Sequence, residues 1–141
     1  MKIVINGRYG GFSLSDKAIR LYAKKKGWKL YPEASRIGAG ILPDTYWLVP
    51  KSKRPKEIEN WHEASLEDRQ AYNEAYRKAE FASRDLERNC ATLIEVVQEL
   101  GKEASGRCAS LEIIEIPDDV EWQIEEYDGN EWVAEKHRKW S

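Results

Sequence analysis

A chain of 141 residues, 41% apolar and 34% charged, has the length of one domain and enough apolar content for a single core under a heavily hydrated surface. Its net charge of −2 and pI near 5.8 argue against a general nucleic-acid binder, no window approaches a membrane span, and the opening MKIVINGRYGG has an apolar run too short for a signal peptide. Cys90 and Cys108 form no Cys-x-x-Cys pair and no His stands at zinc-finger spacing, so a reduced cytosolic protein is expected, with a single disulfide as the alternative.

In chain order, the β-branched run Lys2–Asn6 reads as a strand and GRYGGF as a loop. Ser13 and Ser15 are candidate N-caps for a helix from about Ser15 to Lys26, stopped by Gly27, with three lysines in its last turn complementing the helix dipole. Between Pro43 and Pro50, Thr45–Val49 reads as a strand, and the PKSKRPKEIEN segment after it as a basic loop. Ser65-x-x-Asp68 caps the clearest helical pattern, which runs to about Arg88 with Tyr72, Ala75, Tyr76, Ala79, Ala82 and Leu86 on one stripe. ATLIEVVQEL is a further helix, ended by Gly101. SLEIIEI is a strand stopped by Pro117, and two more strands flank a hairpin turn at Asp128-Gly129. The trio Trp132, Val133 and Ala134 blurs the alternation of the last strand, which leaves a helix open there. The expected architecture is α+β: a small, mostly antiparallel sheet from the N-terminal and C-terminal strands, covered by two or three helices.

Charge is distributed unevenly. Residues 1–60 hold 13 Lys/Arg against 5 Asp/Glu, and residues 61–141 hold 10 against 20. From Cys108 to Glu135 there are ten acids and no Lys or Arg. Such surfaces face each other inside the fold, face different partners, or meet across a homo-oligomer. The acids match no EF-hand spacing, so no metal is assigned to them; a solvated sheet face or a surface for a basic partner, through Glu121 and Glu125, is expected. Lys51, Lys53, Arg54 and Lys56 are the matching basic candidates for partner contact, and a flexible solvated loop is the alternative. Six Trp and seven Tyr are many for this length and serve either a core or a binding face.

The loop of Arg8, Tyr9, Gly10, Gly11 and Phe12 has two readings. Glycine amides entering a helix, with Arg20 and Lys17 nearby and two aromatics to stack on a base, can hold a phosphate. The spacing is neither that of a dinucleotide fingerprint nor that of a P-loop, and a double glycine between strand and helix is also simply a turn. His62 and His137 are the only histidines. No catalytic residue is assigned; His137 with a carboxylate is the candidate if there is turnover, because nothing in the sequence supplies a triad or a Cys-His pair.

The segments INGRYGGFSLS, IPDDVEWQIEEYDG and HRKW, carried here by Ile5, Asn6, Tyr9–Phe12, Leu14, Ser15, Ile116–Asp119, Trp122, Ile124, Glu126–Gly129, His137, Arg138 and Trp140, resemble a family of small uncharacterised proteins of tailed bacteriophages and large DNA viruses. The resemblance covers the two ends, about half of the chain, and leaves residues 28–84 as an expected variable charged insert in a single domain. It implies a phage accessory protein in the cytoplasm of an infected bacterium, of the kind that neutralises host defence by stoichiometric binding of a host protein, without a cofactor. Two alternatives stand beside it. One is a protein that sequesters a small anionic nucleotide, a defence signal included, through Arg8–Phe12, Arg20 and Arg138. The other is a nucleotide-processing enzyme around Asn6, Tyr9 and His137-Arg138.

Overall fold

In the structure, a computed structural model describing residues 1–34, 45–137 and 140, the N-terminal run forms β1 (Lys2–Asn6), antiparallel to β5 (Leu111–Glu115) with Val4 opposite Ile113. Ile3, Val4, Ile5 and Asn6 are all buried, so β1 is covered on both faces. The helix Ala91–Leu100 supplies much of that cover, and the helix Asp16–Lys26 packs on it. α1 (Asp16–Lys26) begins at Ser15, whose hydroxyl accepts from Ala18 N–H at 3.1 Å, and buries Ala18, Ile19, Tyr22 and Ala23. α3 (Ala91–Leu100) buries Leu93, Val96 and Val97 and packs on α1, β1 and β5. Lys25 on α1 lies 3.1 Å from Glu99 on α3, and that hydrogen bond raises the Lys25 pKa above its ordinary value against a smaller opposing effect of desolvation.

At the start of α3 the Cys90 thiol meets the Tyr22 hydroxyl at 3.8 Å. Burial works to raise the thiol, but the Leu93 and Thr92 backbone, the Tyr22 hydroxyl and Lys26 outweigh it and hold it below its ordinary value. Tyr22 is pushed up to about 12, first by burial and then by Cys90. Both cysteines are free thiols, Cys90 half-buried and Cys108 exposed.

The last two strands, β6 (Trp122–Tyr127) and β7 (Asn130–Glu135), pair antiparallel around a two-residue turn. Asp128 and Gly129 both have positive φ, 48° and 84°, the signature of a type I′ turn. The trio that left a helix open belongs to the strand: Val133 faces the same way as Ile124, while Trp132 and Ala134 take the opposite face. The N- and C-terminal strands therefore form antiparallel sheets, but as two ladders, β1–β5 and β6–β7. The division has a local cause. The edge of β1 away from β5 gives its Val4 N–H to Arg88 O (2.8 Å) and its Asn6 N–H to the Glu131 carboxylate (2.8 Å), so no strand can pair there.

These elements belong to one compact unit, Met1–Lys26 with Ser83–Ser141; Gly27–Ala82 forms another. Within the second, β2 (Tyr31–Glu33), β3 (Thr45–Trp47) and β4 (Glu80–Phe81) make a three-stranded antiparallel sheet with β3 central. β2 escapes a sequence reading because it is three residues long with Pro32 in the middle, tolerable only on an edge. α2 (Leu66–Ala79) is capped by the Ser65 hydroxyl accepting from Asp68 N–H at 3.1 Å. It stops nine residues short of Arg88, because Glu80 turns extended and Phe81 leaves the helix to pair with Tyr46. Tertiary pairing overrides the helical pattern of residues 80–88.

Two outcomes follow from this packing. Leu93→Ala, at a fully buried site, costs about 3 kcal/mol in urea unfolding. The Glu103 carboxyl is held below the usual carboxylate range by its hydrogen bond to, and then the charge of, Lys17 on α1. A depressed folded pKa gives stability that is complete above the unfolded value and lost as pH falls through the folded one. Glu103→Gln therefore melts slightly below the unsubstituted protein at neutral pH, and the gap closes in acid, which thermal melts across the acid range check.

Candidate functional site

Asn6 is a fully buried polar residue at the end of β1. Its side-chain amide donates to Arg8 O at 2.6 Å and to Gly129 O at 2.8 Å, and its Oδ1 accepts from Ser110 N–H at 2.8 Å. Two carbonyls at one end and one N–H at the other fix which way the amide points. The Glu131 carboxylate that takes the Asn6 backbone N–H also receives both terminal nitrogens of Arg88, at 2.6 and 2.9 Å. This forked pair is nearly out of solvent, with 9% of the Glu131 and 16% of the Arg88 side chain exposed. The Arg88 guanidinium lies over the Phe12 ring, 3.6 Å from its centroid. Thus β1, the loop at residues 8–12, the Arg88 segment and the hairpin are held by one polar cluster.

The loop singled out from the sequence sits inside this cluster. The Gly10 amide donates to Asp128 O at 3.0 Å, and a Cβ on Gly10 would come within 2.9 Å of Cys108 O. Gly129 of the hairpin turn lies against the Gly11 backbone so closely that a Cβ on it would stand 2.1 Å from Gly11 N. Phe12 is under Arg88, and Arg20 on α1 pairs with Asp16 at 2.9 Å. Arg8 and Tyr9 are exposed, Tyr9 by 59%. The Gly10 amide, the Phe12 ring and the Arg20 charge thus have partners within the fold, although Gly10 and Arg20 are exposed, as Arg8 and Tyr9 are. Arg138 lies outside the described residues. His137 is exposed just past β7.

With its inner side committed, the hairpin offers an outer face and an edge. Glu125 and Trp132 are neighbours on the outer face, joined by a hydrogen bond of 3.0 Å from the indole to the carboxylate. Trp132 is 43% and Tyr127 71% exposed. The two-residue turn and the bond from Lys136 N–H to Glu121 O (2.9 Å) set the ladder on the odd-numbered residues of β6. The backbone N–H and C=O groups of Trp122, Ile124 and Glu126 therefore point away from β7, and among the described residues no backbone group pairs with them. No Lys or Arg among the described residues pairs with Glu121, Glu125, Glu126 or Glu135. Among the described residues, then, this edge is unpaired and its acids have no cation partner.

The basic candidates lie in the other unit. Lys51, Arg54 and Lys56 line a cleft with Trp47, Tyr72 and Tyr76, and Lys53 is exposed beside it on the same short helical turn as Lys51. Arg54 pairs with Glu33 and lies 4.8 Å over the Trp47 ring. Among the described residues, no group of three or more His, Cys, Asp or Glu side chains can hold a metal, and no helix is long and apolar enough to cross a membrane.

Arg88 and Glu131 were not legible as a pair from the sequence. One signal existed: the hairpin register puts Glu131 on the face of Ile124 and Val133, and an acid on an inward face implies a buried cation. In comparisons with known proteins, no family model, no curated protein and no solved structure matches the chain.

The closeness of hairpin and loop sets a glycine contrast. Gly129→Ala meets both a positive φ and the Gly11 backbone, and costs at least about 2 kcal/mol. Gly27→Ala has a similar φ in open space and costs about 1 kcal/mol. Chemical unfolding of the two variants reads the difference.

Proposed function

We propose that the protein acts by stoichiometric binding, with an extended, basic segment of a partner protein adding as a strand to the free edge of β6. The carrying observation is the row of unpaired backbone groups at Trp122, Ile124 and Glu126. Strand addition draws affinity from such groups and selectivity from the flanking side chains. Those flanks are acidic and aromatic: Glu121 and Glu125 attract Lys or Arg, and the exposed Trp132 and Tyr127 offer faces to the same cations. A hairpin fixed through Asn6 and Glu131 loses little freedom on docking.

The resemblance of both chain ends to small phage proteins supports a bacterial host protein as the source of that segment, met in the cytoplasm of an infected cell. An anti-defence role follows if that host protein belongs to a defence system.

Two variants test the reading against a host protein captured by the unsubstituted chain. Ile124→Pro removes an outward N–H without touching the β6–β7 ladder. Glu121→Lys with Glu125→Lys reverses the flank charge. Loss of capture by Ile124→Pro, and affinity lowered about tenfold or more by the charge reversal, are expected. Hydrogen exchange should show the Ile124 and Glu126 amides becoming protected in the complex. Full capture by Ile124→Pro, or unprotected Ile124 and Glu126 amides in the complex of the unsubstituted chain, contradicts strand addition.

A further inference from the structure

The cleft in the Gly27–Ala82 unit has a chemistry different from that of the β6 edge. It measures about 400 Å³, within the size range of small-ligand sites. Tyr72 and Tyr76, one turn apart on α2, form one wall with ring centroids 6.1 Å apart. Trp47 from β3 stands edge-on to Tyr76, centroids 5.0 Å apart. Lys51 and Lys56 lie at the exposed mouth, and among the described residues neither is in an ion pair. Two acids also line the cleft: Glu33 is taken by Arg54, which leaves Glu57 as the counter-charge to the two lysines.

A ligand that answers the lining has a flat ring for the tyrosines and negative charge for the two lysines.

We infer that this cleft binds a small planar anion with the chemistry of a nucleoside monophosphate. The base supplies the ring, and the phosphate meets Lys51 and Lys56. Free phosphate satisfies only the lysines, and a nucleoside only the aromatic wall.

The indole region of a ¹⁵N-correlation spectrum reads this directly, because the Trp47 signal is the one lost in Trp47→Phe. AMP, GMP, CMP and UMP are titrated in turn, beside the four nucleosides and inorganic phosphate. At least one nucleotide is expected to shift the Trp47 indole signal saturably. Its affinity should fall about tenfold in Lys51→Ala with Lys56→Ala, two exposed sites whose loss leaves the fold intact, and about as much when the phosphate is absent. Ile124→Pro leaves this titration unchanged, which separates its outcome from that of strand docking. No shift with any nucleotide at millimolar concentration overturns the inference, as does an equal shift at equal midpoint with inorganic phosphate alone.

Discussion

The buried fork between Arg88 and Glu131, with Asn6 beside it, is the constraint on which the arrangement of the first unit depends. Taking an acid and a guanidinium out of water is costly, and the cost is offset only when every donor and acceptor of the pair is answered. Here it is. Glu131 accepts from Arg88 through both oxygens and from the Asn6 backbone; Arg88 adds a long contact to Val4 O at 3.4 Å and covers Phe12. Because the partners lie on β1, on the segment before α3 and on β7, the cluster specifies where the hairpin sits. An apolar contact would leave its register free to slide.

That constraint also distributes function. The edge of β1 that faces Arg88 and Glu131 is satisfied by a carbonyl and a carboxylate, and the inner face of the hairpin is given to the cluster. The glycine loop is closed by the Asp128-Gly129 turn, its Gly10 amide spent on Asp128 O. What stays open is the far edge of β6, in the part of the chain where acids have no basic neighbours in sequence. Most of the basic excess of residues 1–60 lies in residues 1–26, whereas Gly27–Ala82 carries nine Lys/Arg against nine Asp/Glu. An acidic backbone edge and a concave aromatic site with Lys51 and Lys56 at its mouth suit two different kinds of partner.

Local rules made much of the fold legible. The β-branched run gave β1, Ser65 gave the start of α2, and Asp128-Gly129 gave the hairpin turn, since each rests on chemistry within a few residues. What failed was non-local. The helical stripe beyond Ala79 is real in the sequence, but Phe81 pairs with Tyr46 instead. Glu131 reads as one more solvated acid until the ladder register sets its direction, and Arg88, 43 positions earlier, carries no local mark of its partner. The aromatic cleft gathers Trp47, Arg54 and Tyr72 from a strand, a loop and a helix, a convergence that no spacing announces.

A double-mutant cycle on Arg88→Met and Glu131→Gln tests the dependence most directly. The amide oxygen introduced by Glu131→Gln still accepts from the Asn6 N–H, so the cycle isolates the ion pair. Each single change strands its partner in a nearly dry site, whereas the double change removes both charges together. A coupling of about 2 kcal/mol or more in chemical unfolding is the predicted result, with the double variant losing far less than the sum of the singles. A coupling below about 0.5 kcal/mol would contradict the view that this pair holds the hairpin to β1.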